Sequence, residues 1–437
     1  MIKLLHISPS YYPAFRFGGP IQSVHLLNKA LVKKGVKVDV LTTNAGLAQE
    51  QRKKIKDKSK EILRTSSLDS PDRSGQAASR RDRQGDTNGW VDPSSLNNAD
   101  KAETSGLRVK YLDFVGYEHY NFSLQMVKEI WKVIDDYDLV HITAVWNFPV
   151  LAGVLISIIK KKPYIISPRG TIYKETIELK STSIKKIYFN LFAKQYINKA
   201  SAIHFTTKDE QEKVTKYLGI TAPSFVIPNG VDISSIALSA ESKARIIDKK
   251  YILILGRIDK KKGFDILIPV FANIIKKFND LILVIAGDRE TPYTHAVKQM
   301  IEDMSQQTGL NISNNIIFTG QVTGDNKWAL YKNALMFVLP SYSENFGMSV
   351  VEAMACGCPV VISDKVGIYK EVEDNNAGVI VNTTAESVEE GILKLLNDEK
   401  LRETISHNGK AMVEEYYDID KVADEMIEVY ERIKIKE

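Results

Sequence analysis

The chain reads as an α/β protein of two Rossmann-like, doubly wound parallel-sheet domains, and three observations predict it. Short apolar runs of strand length alternate with segments of helical period along almost the whole chain. At 437 residues the chain is long enough to bury two cores. A turn-rich stretch, Pro228-Asn-Gly-Val-Asp232, punctuates the alternation midway.

The first series opens with a strand at Leu4 to Ser8. Tyr11-Tyr-Pro-Ala-Phe-Arg-Phe-Gly-Gly-Pro20 is a loop feeding a helix with Val24, Leu27 and Leu31 on one face and Gly35 at its end. Val36, Val38 and Val40 alternate as a second strand. From about Thr65 to Ser105 apolar residues are few and no period is visible. Such composition cannot bury enough surface to offset its ordering entropy, so a disordered insertion is expected over 65–105.

Structure resumes with a strand at Leu107 to Phe114, a helix carrying Leu124, Val127, Trp131 and Ile134, and a strand at Leu139 to Thr143. Val145-Trp-Asn-Phe-Pro149, a helix, the strand Tyr164 to Ser167 and Pro168-Arg-Gly-Thr-Ile-Tyr173 follow. Trp146 and Arg169 leave strand ends on the side where open α/β sheets bind ligands. An aromatic face and a planar cation suit a sugar and a phosphate. Core packing of Trp146 and a carboxylate partner for Arg169 are equally open. Ile184 to Ala200 sets Ile184, Ile187, Tyr188, Leu191 and Phe192 on one helical face, with Lys185, Lys186, Lys194 and Lys199 elsewhere. A helix packed on the sheet is expected; a membrane-surface role stays open. Strands at Ala202 to Phe205 and Ser224 to Ile227 close the series.

The second series begins with the strand Tyr251 to Leu255, which delivers Gly256-Arg-Ile-Asp-Lys-Lys-Lys-Gly263. Leu281 to Ala286 ends in Gly287-Asp288, and Ile316 to Thr319 in Gly320-Gln-Val322. Met336 to Leu339 then leads into Ser341-Tyr-Ser-Glu-Asn-Phe-Gly347, a helix from Met348 to Ala355 stopped at Gly357, and the strand Val360 to Ser363. Residues from Glu399 onward are helical, including Val422, Met426, Val429 and Tyr430.

Composition narrows the function. With 44% apolar and 26% charged residues the chain is an ordinary globular one, and a net charge of +5 is mild. It hints at an anionic ligand or surface, and no nucleic-acid partner is expected. Cys356 and Cys358 lie too close together to staple a fold, and no histidine stands near them to complete a zinc site. Met1 to Ile7 is broken by Lys3 and followed by Pro9, unlike a secretory signal. Val150 to Ile159 falls far short of the roughly 20 residues of a membrane helix. A cytoplasmic protein is expected, with a peripheral contact at the inner membrane face left open.

The chemistry centres on Glu344-Asn-Phe-Gly-Met-Ser-Val-Val-Glu352. Gly347 just before a helix N-terminus lets the backbone approach an anion, with free N–H groups and the positive helix end facing it. A carboxylate on each side suits the hydroxyls of a phosphorylated ligand. Taken alone, Glu344 reads equally as a loop charge and Glu352 as a dipole-favoured helix acid.

This Glu-x7-Glu stretch, with Ala-Met-Ala-Cys-Gly-Cys-Pro-Val-Val behind it, closely resembles the nucleotide-sugar motif of retaining glycosyltransferases of family 4. Gly256-Arg-x4-Lys-Gly263 resembles the same family's phosphate grip. The resemblance implies the GT-B fold, two Rossmann-like domains facing across a cleft. It implies an acceptor domain over 1–228, a nucleotide-sugar domain over 233–415, and a C-terminal helix over 416–437 that packs back on the first.

The implied roles are specific. Arg257 and Lys262 grip the donor diphosphate. Glu344 meets the donor sugar, and the backbone of Asn345, Phe346, Gly347 and Met348 meets sugar and diphosphate. Glu352 meets the ribose, and Gly320 to Val322 holds the base. Gly18 and Gly19 resemble the glycine-rich loop over the donor phosphates, although a Gly-Gly before proline is commonly a plain turn. Many relatives carry a histidine where this chain reads Ser167-Pro-Arg-Gly170, so it resembles a Ser-Pro-Arg-Gly subgroup, and the acceptor-side chemistry of the histidine enzymes does not carry over to it. Asp136-Tyr-Asp138 has the metal motif of another glycosyltransferase fold but precedes a strand instead of following one, so no metal and no cofactor is expected. The expected activity is transfer of a sugar from a nucleotide-sugar donor to a glycan or lipid-linked acceptor in cell-surface polysaccharide synthesis. A sugar-nucleotide epimerase or phosphorylase on the same fold is the alternative. A dinucleotide-dependent hydride transferase is disfavoured, because no Gly-x-Gly-x-x-Gly follows a strand.

Overall fold

The computed structural model describes residues 1–14, 18–68, 89–93, 106–173, 188–240, 247–288 and 291–435. The chain divides into two compact units, one of Met1–Phe205, Gln211–Ile227 and Ala423–Glu437, the other of Thr206–Glu210 and Pro228–Val422.

Among the described residues the first unit holds seven parallel strands: β1 (Lys3–Ile7), β2 (Lys37–Thr43), β3 (Arg108–Leu112), β4 (Leu139–Thr143), β5 (Tyr164–Ser167), β6 (Ala202–Phe205) and β7 (Ser224–Val226). Their order is β3-β2-β1-β4-β5-β6-β7. The second unit holds six: β8 (Tyr251–Leu255), β9 (Ile282–Ala286), β10 (Ile316–Phe318), β11 (Met336–Leu339), β12 (Val360–Ser363) and β13 (Val379–Val381), in the order β10-β9-β8-β11-β12-β13. Each order reverses beside the unit's first strand, between β1 and β4 and between β8 and β11. Such switch points open a crevice at the carboxyl ends of the strands.

Parallel strands covered on both faces need apolar side chains on both. In the second unit Leu253, Val284, Phe337 and Val360 enter one core cluster while Ile252, Leu283, Val338 and Val361 enter another, the period-two alternation of a two-faced sheet. The C-terminal helix Ile419–Ile435 belongs in its last part to the first unit, where the Tyr430 hydroxyl shares a 2.7 Å hydrogen bond with His141 Nδ1. Lys434 Nζ lies 3.0 Å from Asp138, which also accepts from the Lys3 amide, so half of the Asp-x-Asp pair is engaged locally.

Two expectations are corrected. Thr65–Leu68 are not disordered; they end a helix, Gln49–Leu68. Further along, Trp90 is 7% exposed and joins the core of the first unit, and Val91 pairs antiparallel with Val109 on edge strand β3. Arg108 and Lys110 stack over the Trp90 ring at 5.4 and 5.9 Å. A composition averaged over a mostly polar stretch hid one tryptophan able to bury itself. The remainder of the expected insertion, 69–88 and 94–105, lies outside the described residues.

The face drawn for 184–200 also shifts. Residues 174–187 lie outside the described set. Beyond them Phe189–Ala193 form a π turn, Phe192 is 58% exposed, and Phe189, Ala193, Tyr196 and Ile197 are buried. The extra residue in a π turn moves the apolar face out of α-helical phase. Among the described residues no helix is long and apolar enough to cross a membrane.

Candidate active site

In the second unit, β8 passes into a single 3-10 turn, Lys260–Lys262, started by the Asp259 carboxylate accepting from Lys261 N at 3.0 Å. Gly263 ends it at φ +73°, and a Cβ there would lie 2.2 Å from the Pro340 carbonyl oxygen. Only glycine allows so close an approach of this turn to the loop after β11. The approach sets Lys262 Nζ 2.7 Å from Glu344 Oε1, with both side chains partly exposed. Arg257 leaves the end of β8 with its side chain in solvent.

The loop carrying Glu344 is pinned from two sides. Tyr342 N donates to Lys261 O at 2.8 Å, Glu344 N to Lys365 O at 3.0 Å, and Gly367 N to Glu344 O at 2.9 Å. The Ser363 hydroxyl donates to Ser341 O at 2.5 Å. Gly347, at φ +94°, turns the chain into the helix Met348–Ala355, and a Cβ there would fall 2.8 Å from Val366 Cγ1. The first N–H groups of this helix have no intrahelical acceptor, and with the positive helix end behind them they are free to receive an anion. Phe346 is buried with its ring edge-on to Tyr417 at 5.5 Å, so it offers a ligand its backbone rather than its ring. Asn345 Nδ2 donates to Thr206 Oγ1 at 2.8 Å, and Met348 is half-buried.

Glu352 is 7% exposed, with one internal partner on each carboxylate oxygen. Lys327 Nζ lies 2.8 Å from its Oε1, and the Tyr331 hydroxyl donates to its Oε2 at 3.1 Å. Burial first, then the charge of Glu352, raises the Tyr331 phenol well above its ordinary pKa and keeps it the donor. Both partners stand on the helix Gly324–Asn333, which follows directly on Gly320 and Val322. Gly320 is buried, and Val322 packs on the core cluster that contains Phe346 and Val350. Lys327 and Tyr331 escaped the sequence reading. The available signal was a lysine opening an otherwise apolar stretch, Lys327-Trp-Ala-Leu-Tyr331, one helical turn before a tyrosine.

The remaining candidates belong to the first unit. Gly18 precedes the helix Gly19–Lys33, and from that helix the Ser23 hydroxyl meets Arg169 Nη1 at 3.4 Å. Arg169 is buried, at φ +51°. Trp146 donates from Nε1 to Thr171 O at 2.6 Å and packs half-buried against Tyr188 and Phe189, so its polar edge serves the fold. Beneath them lies a buried histidine group that sequence reasoning passed over. His6 stacks on His141 at 4.9 Å, His204 meets His141 edge-on at 5.4 Å, and His6 Nε2 shares a hydrogen bond with Thr143 Oγ1 at 2.8 Å. Burial, reinforced by the Arg169 charge, lowers His6 to about 4 and His204 to about 3, and His141 falls well below its ordinary value.

Two family models match the chain: Glycosyltransferase Family 4 over residues 17–235 and Glycosyl transferases group 1 over residues 239–412. An uncharacterized glycosyltransferase of Methanocaldococcus jannaschii is 29% identical over 345 residues, covering 75% of this chain and 85% of that protein. The capsular polysaccharide biosynthesis glycosyltransferase CapM of Staphylococcus aureus is 30% identical over 217 residues, covering 48% of this chain and 55% of CapM, so that match spans about half of each. The crystal structure of Anabaena HepE in complex with UDP superimposes with a TM-score of 0.67 at 17% identity, over 99% of this chain and 100% of HepE. That likeness is one of fold. With the first family model covering half of its length and the second most of the rest, this chain belongs to glycosyltransferase family 4 and is a glycosyltransferase of GT-B fold.

Proposed function

We propose that the chain moves a sugar, with retention of configuration, from a nucleotide-sugar donor held by the Pro228–Val422 unit to a glycan or lipid-linked acceptor. The acceptor side is assigned to the first unit, near Arg169 and the exposed face of Trp146, in cell-surface polysaccharide synthesis, with Gly18 and Gly19 kept as donor-binding residues. The observation that carries this reading is the convergence of Lys262 on Glu344 beside the helix that starts after Gly347. A cation, a carboxylate and a ring of N–H groups meet there, as a sugar joined to a diphosphate requires.

When the bond from the sugar to phosphate breaks, its electron pair leaves on the diphosphate. Arg257 and Lys262 stabilise that growing charge, each charge-assisted hydrogen bond contributing about 1.5 to 3 kcal/mol. The acceptor hydroxyl bonds to the sugar carbon on the face the diphosphate leaves, and its proton passes to the departing phosphate oxygen. Glu344 orients the sugar. No step in this scheme calls for a divalent metal. The capsular role in the name of CapM and the UDP bound to HepE support the polymer and the donor class.

The test is a panel of UDP-, GDP- and ADP-sugars incubated with the full chain, with and without short glycan and lipid-linked acceptors, in buffer and in EDTA. Acceptor-stimulated release of nucleoside diphosphate, retained configuration in the product and indifference to EDTA are expected. Donor consumption that needs only inorganic phosphate, or an epimerised donor without transfer, would replace this reading with a phosphorylase or an epimerase. Loss in EDTA and recovery with magnesium or manganese would overturn the metal-free scheme.

A further inference from the structure

We propose that Lys327 is a positioning residue: with Tyr331 it supplies the countercharge to Glu352 and aims that carboxylate at a vicinal diol, and so sets the preference of the site for ribonucleotides. The proposal rests on the reading that Glu352 meets the donor ribose.

The argument starts from burial. A carboxylate as enclosed as Glu352 is costly to bury without a countercharge. Lys327, itself buried, provides the opposite charge at 2.8 Å, and its ammonium also lies over the Trp328 ring, 4.0 Å from the centroid. The lysine therefore has a fixed position from which to fix another group.

Geometry supplies the second step. Lys327 binds Oε1 and the Tyr331 hydroxyl binds Oε2, one internal donor on each oxygen. Each oxygen of a carboxylate has two acceptor directions, so one remains on each. Two parallel acceptors on one planar group match the two hydroxyls of a ribose. A single internal partner would leave the carboxylate free to rotate. The helix that brings Lys327 and Tyr331 also follows directly on Gly320 to Val322, the segment assigned to the base, so base and ribose contacts share one rigid support.

A plain structural ion pair tying the helices Gly324–Asn333 and Met348–Ala355 is the competing account, and nucleotide discrimination separates the two. Calorimetric titration of the full chain with UDP, GDP and ADP identifies the tightest nucleotide, which is then compared with its 2′,3′-dideoxy form. The wild type should lose about 10- to 100-fold in affinity with the dideoxy form, as expected for hydrogen bonds to a charged acceptor. Lys327→Met should weaken the ribonucleotide about 10-fold or more, bind the dideoxy form as the wild type does, and so bring the ratio towards one. Lys327→Arg should restore part of it. Glu352→Gln should collapse the ratio as well, and Lys327→Met/Glu352→Gln, which buries no lone charge, should behave as Glu352→Gln alone.

A wild-type ratio in Lys327→Met beside a collapsed ratio in Glu352→Gln would make Lys327 structural and leave the ribose reading of Glu352 standing. Wild-type ratios in both variants, or a wild type that binds none of the three nucleotides, would sink the ribose reading and the proposal together. Should Lys327→Met fail to fold, the double variant decides: a loss of dideoxy binding beyond that of Glu352→Gln would mean that Lys327 touches the nucleotide itself, which overturns a role through Glu352.

Discussion

Lys262 and Glu344 meet at 2.7 Å although they leave different strands, because β8 and β11 are hydrogen-bonded neighbours and Gly263 lets the first loop press against the carbonyl that precedes the second. The pair joins the group assigned to the leaving diphosphate to the group assigned to the sugar. One carboxylate of the motif is thus paired with a lysine of the loop after β8, whereas Glu352 is tied to Lys327 and Tyr331 on another helix.

This difference in surroundings separates the two glutamates kinetically. An interaction with the reacting ring can act in the transition state, and one with an unchanging ribose contributes binding alone. Glu344→Gln should lower kcat by roughly 10-fold or more and alter sugar preference, and Glu352→Gln should raise donor KM by roughly 10-fold with kcat nearly kept. Steady-state kinetics over a full donor range checks this. The reverse pattern would place sugar and nucleoside at the opposite ends of the site.

Burial of Trp90 divides the polar stretch after β2 into parts of unequal weight. Trp90→Ala removes a buried indole from the first unit and should cost about 3 to 5 kcal/mol of stability. Replacing 69–88 by a short glycine-serine linker should change stability little, since loop-closure entropy grows by only about 0.6 kcal/mol per doubling of length. Denaturant titration of both variants measures the contrast; a tolerant Trp90→Ala or an unfolded linker variant would reverse it.

Much of the fold was legible because buried parallel strands announce themselves: Tyr251–Leu255 and Met336–Leu339 are continuous apolar runs, Leu139–Thr143 and Tyr164–Ser167 are mostly apolar, and all four stand where the sequence puts them. The turn at Gly347 was legible too, whereas Gly263 stood in the sequence only as the end of a motif, and its close approach to Pro340 shows in the structure alone. What stayed hidden depends on tertiary contact. Lys327 reads as a solvent lysine until the helix is packed, Trp90 is a lone apolar residue among polar ones, and the π turn at Phe189–Ala193 leaves no periodic trace. Asp138 and Trp146 show the converse, singled-out residues whose polar atoms are engaged by the fold.

The buried histidines predict how stability depends on pH. In the unfolded chain they titrate near their ordinary value of 6.5, whereas folded His6 is lowered to about 4 and folded His204 to about 3. Below pH 6.5 the unfolded state therefore binds protons the folded state does not, and stability falls as pH falls. Their contribution is complete above that value. It declines by up to about 1.4 kcal/mol per pH unit for each histidine until the folded group titrates. Denaturant titrations at pH 7, 6 and 5 should show this decline, and His6→Gln should flatten it whatever its effect at neutral pH. An unchanged slope in His6→Gln would mean that the histidine is not held neutral by the fold.

The claim that Arg257 and Lys262 carry the charge of the departing diphosphate is tested most directly by turnover at saturating donor in Arg257→Ala and Lys262→Ala. Each variant should remain folded and lose roughly 10²- to 10³-fold in kcat, the loss expected when one preorganised charge donor is removed from a transition state. A fall of less than a few-fold under saturation would show that the diphosphate leaves without their help and would contradict the assignment.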